Sequence, residues 1–241
     1  MTSTIAIPGS NTSRFLHGAR MFVPLAISIA AYGIVWGVLA GQAGLSVAEV
    51  LLMSGLVFAG ASQFVALDLW DPGALPVRAI ILAVLIVNLR LMLMTATLRP
   101  LAAHLPPWRA ALSMALVSDE NWAMTMGEVA RGRGSLAYLL GGGVVCYVTW
   151  LLATLVGRLL GAAIDDPTRY GLDFAFTATF LALLFGMWRG KSDLVPWIVA
   201  AVVALATVQL VPGQWYIVVG GLSGSLAGAF AETRKTSRHV A

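Results

Sequence analysis

The chain has 241 residues, of which 59% are apolar and only 11% charged, with a formal net charge of +4. Soluble domains run at about 45–50% apolar and about 25% charged, so a mean hydropathy of +0.86 argues against an ordinary soluble enzyme. It indicates an all-α polytopic integral membrane protein. The basic residues are scattered in ones, twos and threes between apolar runs; that is the pattern of topology determinants, and no nucleic-acid partner is expected.

In chain order, residues 1–20 are polar (Ser3, Ser10, Asn11, Arg14, His17, Arg20) and read as a short, flexible cytoplasmic tail. The apolar run that starts at Met21 is longer than the ~7–15 residues of a signal-peptide core and reads as an uncleaved first span. A spanning helix needs roughly 20 mainly apolar residues. Segments 21–41, 47–67, 77–98, 109–129, 136–163, 172–188, 194–210 and 215–231 qualify. Together they form one bundle over 21–231, of about seven or eight transmembrane helices, some broken or re-entrant. Residues 194–231 read either as two thin spans or as a re-entrant pair, and 232–241 as a second cytoplasmic tail. Backbone in lipid must be hydrogen-bonded internally, and the runs lack the period-2 alternation of a barrel.

With the N-terminus in the cytoplasm, inner segments hold ten Lys and Arg and outer loops only Arg99, Arg109 and Arg169. This bias places both termini inside. Trp70, Trp108, Trp188, Trp197 and Trp215 near span ends suit interfacial anchors.

Gly33, Gly37 and Gly41 recur at four-residue spacing in the first span, Gly220, Gly224 and Gly228 in the last, and Gly157 and Gly161 form a pair. Each set lies on one helix face and permits close helix packing. Gly221-Leu222-Ser223-Gly224 matches the GxSG of intramembrane serine proteases, but His17, His104 and His239 lie outside the later spans, leaving the serine without a base. Neither an enzyme nor a metal site is expected, and no cofactor. Cys146, the single cysteine, reads as a small buried apolar residue.

The polar residues inside apolar runs carry the functional reading. "ALVSDENWAMTM", residues 115–126, places Asp119, Glu120 and Asn121 in the fourth span. A charge at a helix centre costs about 2.5–3.5 kcal/mol on insertion scales and persists when it faces the bundle interior, pairs, or lines a pathway. Adjacent residues are about 100° apart on a helix, so the two acids cannot both meet one partner in a regular helix. Either the helix is broken, with Ser118 capping a restart, or the acids face different parts of one cavity. "LIVNLRLMLM" places Asn88 and Arg90 in the third span, with Pro100 as a stop. Arg90 suits either an anionic substrate group or an ion pair with Asp119 or Glu120. In the second span "VFAGASQFVAL" holds Gly60, Ser62 and Gln63. Gln63 serves either a helix–helix hydrogen bond or a substrate cavity. Glu128 and Asp173, near span ends, are expected to be solvated, and Arg158 to snorkel.

The stretches "AYGIVWGVLAGQAGLS", "LLMSGLVFAGASQFVAL", "VNLR…LRP", "VSDENWAM" and "LDFAFTATFLALLFG" resemble, in order and spacing, the AzlC family, the large subunit of two-component branched-chain amino acid exporters. The resemblance implies export of valine, leucine, isoleucine and sometimes methionine. It also implies a small, separately encoded AzlD-type membrane subunit and a bacterial inner-membrane location. At one position the chain departs from the family: Leu91 follows the "NLR" arginine where His or Tyr is common.

A zwitterionic aliphatic amino acid needs a cation or helix N-terminus for its carboxylate, an anion for its ammonium, and an apolar pocket. Arg90 or a broken-helix N-terminus suits the first and Asp119 or Glu120 the second. Phe58, Phe64, Met92, Trp122 and Met126 are available for the third. The expected function is secondary, proton-coupled export, with one of the acids carrying the proton. No P-loop (GxxxxGK[ST]) occurs. A passive channel, or export of another small zwitterionic or organic solute, uses the same residues.

Overall fold

A computed structural model describes residues 10–71, 73–161, 181, 185, 188, 190–211 and 215–239, with side chains at 217, 218 and 232–239 outside the description. The expected sixth span, including Asp173 and the "LDFAFTATFLALLFG" stretch, lies almost entirely outside the described residues. Among the described residues all regular structure is helical. Four of the described helical segments are long and apolar enough to cross a membrane: Asn11–Gln42, Val77–Ala102, Leu136–Gly161 and the stretch Lys191–Leu210. Two compact units emerge, one of Met1–Leu75 and Val87–Asp173, the other of Pro76–Ile86 and Phe174–Ala241.

The first unit is organised around α1 (Asn11–Gln42) and α7 (Leu136–Gly161). Helix α1 starts ten residues before the first apolar run. Ser10 caps it by accepting from the Ser13 N–H, so residues 11–20 are helix and not a loose tail. The physical reason is tertiary. A methyl on Gly18 would collide with the Tyr138 carbonyl, and one on Gly141 with the Phe15 carbonyl, so the two backbones touch along this polar stretch. The contact continues through the four-residue glycine ridge. Gly37 lies against the Thr154 carbonyl, Gly157 against the Ile34 carbonyl, and a methyl on Gly33 would meet the Ala153 Cβ at 2.8 Å. Such approach gains dispersion over a long seam without needing a hydrophobic driving force. Phe22 and Trp36 are fully buried beside it.

Two of the expected spans are interrupted. The second is α2 (Val47–Val57) and α3 (Gly60–Asp68), separated by Phe58 and Ala59. Ser46 and Glu49 form a reciprocal capping box at the start of α2. Phe58 ends α2 in the left-handed region, at φ 40°, a conformation uncommon for a bulky residue. The fourth is α5 (Pro107–Met114) and α6 (Asp119–Ala130), with Ser118 as the N-cap of α6. Between them α4 (Val77–Ala102) runs unbroken, passes through Pro100, and crosses from the second unit into the first. Leu98, Val117 and Leu139 form a small core over the α5–α6 end, with Met114, Trp122 and Met126 packed against it.

Two charged residues differ from expectation. Glu128 is 6% exposed and pairs with Arg131 and Arg133, both at 3.0 Å, so it staples the α6–α7 turn. Arg158 does not snorkel outward: its Nε donates to the Leu45 carbonyl at 2.6 Å, closing the α1–α2 turn onto α7.

In the second unit one turn of 3-10 helix (Lys191–Asp193) leads into α8 (Leu194–Leu210), which pairs side by side with α9 (Trp215–His239). The glycine ridge of α9 makes the contact: methyls on Gly220 and Gly224 would meet the Cβ atoms of Ala204 and Ala200 at 2.9 and 2.7 Å. Helix α9 continues through the segment expected as a tail.

Candidate functional site

Both helix breaks are built by local chemistry and then tied to α7. At the first, Gly60 lets the restart approach two aromatic rings: a methyl there would stand 3.0 Å from Trp150 and 3.1 Å from Tyr32. The turn frees the carbonyl of Gly55, which accepts from the Tyr147 hydroxyl at 2.9 Å, and the Phe58 ring packs edge-on against Tyr147. At the second, Ser118 accepts from the Asn121 N–H. Asp119 and Glu120 thereby occupy the first turn of a helix, where the backbone dipole favours negative charge. That placement answers how two adjacent acids persist in an apolar segment.

Arg90 on α4 reaches Asp119 with Nη2 to Oδ2 at 3.0 Å, the two side chains retaining 34% and 38% of their exposure. Two residues earlier on α4, Asn88 accepts from the Ser62 hydroxyl at 2.6 Å. Glu120 does not share the arginine contact of Asp119; it is half-buried in the first turn of α6, two residues after the Ser118 hydroxyl. Cys146 on α7 is buried, with its sulfur 3.6 Å from the same hydroxyl. The Ser62–Asn88 hydrogen bond thus ties α3 to α4, and the Arg90–Asp119 pair, with Glu120 next in the chain, ties α4 to α6.

The remaining sequence candidates fall elsewhere. Gln63 is fully buried with both ends engaged: Nε2 donates to Ser54 at 3.2 Å, and Oε1 accepts from Trp150 Nε1 at 2.9 Å. It locks α2, α3 and α7 together. Asn121 is fully buried and donates to the Leu139 carbonyl at 2.9 Å, joining α6 to α7. Phe64 is buried and stacked on Tyr32. Met92 is 61% exposed. Trp122 donates to the Thr97 hydroxyl at 2.8 Å and, with Met126, packs on the small core.

Phe58, of the five apolar candidates, lines a cleft of about 470 Å³. Its walls come from the end of α2 (Gly55 to Phe58), from α4 (Leu91, Thr95) and from the α5–α6 interruption (Met114 to Val117), with Tyr147 behind. The volume lies within the range of small-ligand sites, about 300–1,000 Å³. Leu91 and Val117 of the lining adjoin Arg90 and Ser118 in the chain, while Arg90, Asp119 and Glu120 are not themselves in the lining.

Tyr32, Tyr147 and Trp150 are the residues that sequence reasoning missed. An aromatic residue that braces a broken helix reads no differently in an apolar run from one that faces lipid. The single hint was that Tyr32 and Tyr147 each put a hydroxyl deep inside a span.

No solved structure matches the chain. Inner membrane protein YgaZ of Escherichia coli K12 is 27% identical over 234 residues, covering 94% of each chain. A membrane protein of Archaeoglobus fulgidus is 28% identical over 184 residues, covering 76% of this chain and 80% of its own. A membrane protein of Helicobacter pylori J99 is 25% identical over 162 residues, covering 67% and 70%. The family model described as AzlC protein matches residues 24–164, which include both broken helices, the Arg90–Asp119 pair and all of α7; the chain belongs to the AzlC family of membrane proteins.

Proposed function

We propose that the protein is the large subunit of a secondary exporter of branched-chain amino acids (valine, leucine, isoleucine, and methionine as a longer apolar analogue), driven by the proton gradient. The observation that carries the reading is the Arg90–Asp119 pair at 3.0 Å, half-hydrated between α4 and the N-terminus of α6. A guanidinium and a carboxylate so placed offer one counter-charge to each end of a zwitterion. The adjoining cleft has walls of Leu91, Leu116, Val117 and Phe58, which suit an aliphatic side chain. Ligand sites at interrupted helices are the recurrent solution in secondary transporters. Glu120, half-buried next to the paired acid, is the group available to carry the coupling proton.

In this reading both termini are cytoplasmic in a bacterial inner membrane, the bundle has seven or eight spans, and a small AzlD-type membrane subunit completes the transporter. The exposed apolar faces of α4 and α8, including Leu85, Leu89, Leu93, Ile198, Val202 and Leu205, suit lipid or such a subunit. The test is valine efflux from preloaded cells expressing this chain with and without the small subunit, before and after a protonophore. Expected is efflux against a gradient that needs both chains and stops when the proton gradient collapses. Flux that only runs downhill and ignores the protonophore would replace the reading with a passive channel. No flux of any aliphatic amino acid would remove it.

A further inference from the structure

Tyr32, on α1, lies against the restart of α3, and its ring is fixed from three sides. It stacks on Phe64 of α3 at 4.7 Å between centroids, tilts against Trp150 of α7 at 5.6 Å, and stands over Gly60 at the restart of α3. With the ring so held, the hydroxyl has little freedom beyond rotation about its own C–O bond. That hydroxyl is buried and, among the described residues, has no hydrogen-bond partner; the same is true of Arg90 Nε. The ring oxygen is also within electrostatic reach of Arg90, Glu120 and Asp119.

Leaving a buried hydroxyl or N–H without a partner is costly, and native proteins seldom do so without a reason. Here two orphaned donors belong to one charged cluster, while Asp119 occupies the Nη2 of the same guanidinium. An acceptor with two oxygens satisfies both donors at once, and a carboxylate is such an acceptor. Guanidinium groups bind carboxylates in the two-pronged manner that uses a second N–H.

We infer that the Tyr32 hydroxyl, together with Arg90 Nε, receives the carboxylate of the transported amino acid. This rests on the proposed export of aliphatic amino acids through the Arg90–Asp119 site. Tyr32 is then a substrate-binding residue, the neutral donor beside the charged one. Its rigid ring sets where the carboxylate stops, which in turn sets how much of the aliphatic chain enters the cleft beyond Leu91.

Tyr32→Phe removes only the oxygen and keeps the ring contacts with Phe64 and Trp150, so the fold is retained. The probes are leucine and leucinol, which share ammonium and isobutyl groups but differ in the carboxylate. Binding is measured by calorimetry on the full chain in nanodiscs, with its small subunit present, and thermal unfolding is followed in parallel. The expected result is a leucine affinity about ten- to hundredfold weaker in Tyr32→Phe, the span of a hydrogen bond to a charged group, with leucinol unchanged within about twofold and unfolding unaltered. Leucine affinity unchanged within about twofold, as when the two donors hold only water, overturns the inference; so does an equal loss for both probes. If unaltered protein binds leucine and Asp119→Asn abolishes it while Tyr32→Phe does not, the Tyr32 role fails and the export reading stands. If unaltered protein binds no leucine, both fail.

Discussion

Neutralising Asp119 separates an architectural role for the Arg90 pair from a transport role. The Asp119→Asn substitution keeps the shape of the side chain and leaves the Ser118–Asn121 cap intact; it removes the charge. The cost to stability follows from exposure. A fully desolvated pair broken at one partner costs about 3–5 kcal/mol, whereas exposed pairs contribute about 0.2–1 kcal/mol. Both side chains keep over a third of their exposure, so Asp119→Asn should destabilise by about 1 kcal/mol. Transport responds on another scale. If the site binds substrate as proposed, the ammonium excludes water from the carboxylate, and truncating one partner of such a desolvated charge contact costs about 2–5 kcal/mol, or about thirtyfold and more in affinity. The expected outcome is a variant that unfolds within a few degrees of the unaltered protein yet loses amino acid flux in proteoliposomes by about thirtyfold or more. Arg90→Ala should match it, and the double variant should be no worse than either single one, because both remove the same bound state. A folded Asp119→Asn protein with undiminished flux would refute the site. A large stability loss, with flux falling only in step with the folded fraction, would make the pair architectural.

Gly157→Ala should cost about 1–3 kcal/mol in thermal unfolding, because its methyl meets the Ile34 carbonyl. Gly221→Ala, where nothing among the described residues lies within 4 Å, should destabilise by no more than about 0.5 kcal/mol. Trp150→Phe strips the donor from the buried Gln63 oxygen and should destabilise by about 1–3 kcal/mol, part of which Gln63→Leu in the same chain restores; no recovery would mean that the ring and not the hydrogen bond matters. Replacing Arg131 and Arg133 together by Ala strands the buried Glu128 carboxylate and should cost about 3–5 kcal/mol, while Glu128→Gln, which releases two exposed arginines to water, costs far less. Proteolysis of the α6–α7 turn reads the difference.

Run length alone made α4, α7 and α8 legible, since apolar length is what the bilayer selects. Ser118 was legible for a second reason: serine followed by two acids is the chemistry of a helix start, and the structure places α6 there. The α2–α3 interruption was half legible. Gly60 and Ser62 signalled tolerance for distortion, but the turn itself is made by Phe58 in a left-handed conformation, and no local signal marks a phenylalanine for that. Burial was the least legible property. The polar start of α1 looks solvated until α7, distant in sequence, is placed against it, and Glu128 looks solvated until Arg131 and Arg133 close on it. Pairing decided both, and a one-dimensional reading of hydropathy holds no information on pairing.

Hydrogen-bond satisfaction then sorts the polar residues that hydropathy lumps together. Gln63 and Tyr147 hold the first break, Asn121 holds the second, and each finds partners on a neighbouring helix. In a dry bundle such closed contacts rigidify, and replacing a member leaves its partner costly. Among the described residues Asn121 Oδ1 lacks a partner too, but Tyr32 and Arg90 each keep a buried donor unspent, and Arg90 shares a half-hydrated contact with Asp119. A scaffold that wanted only stability would gain by closing these donors or by substituting apolar side chains of like volume. On the proposed reading, their survival beside two braced interruptions divides the labour by residue: Gln63, Tyr147 and Asn121 keep α3 and α6 broken at fixed places, and the unspent donors of Tyr32 and Arg90 serve binding.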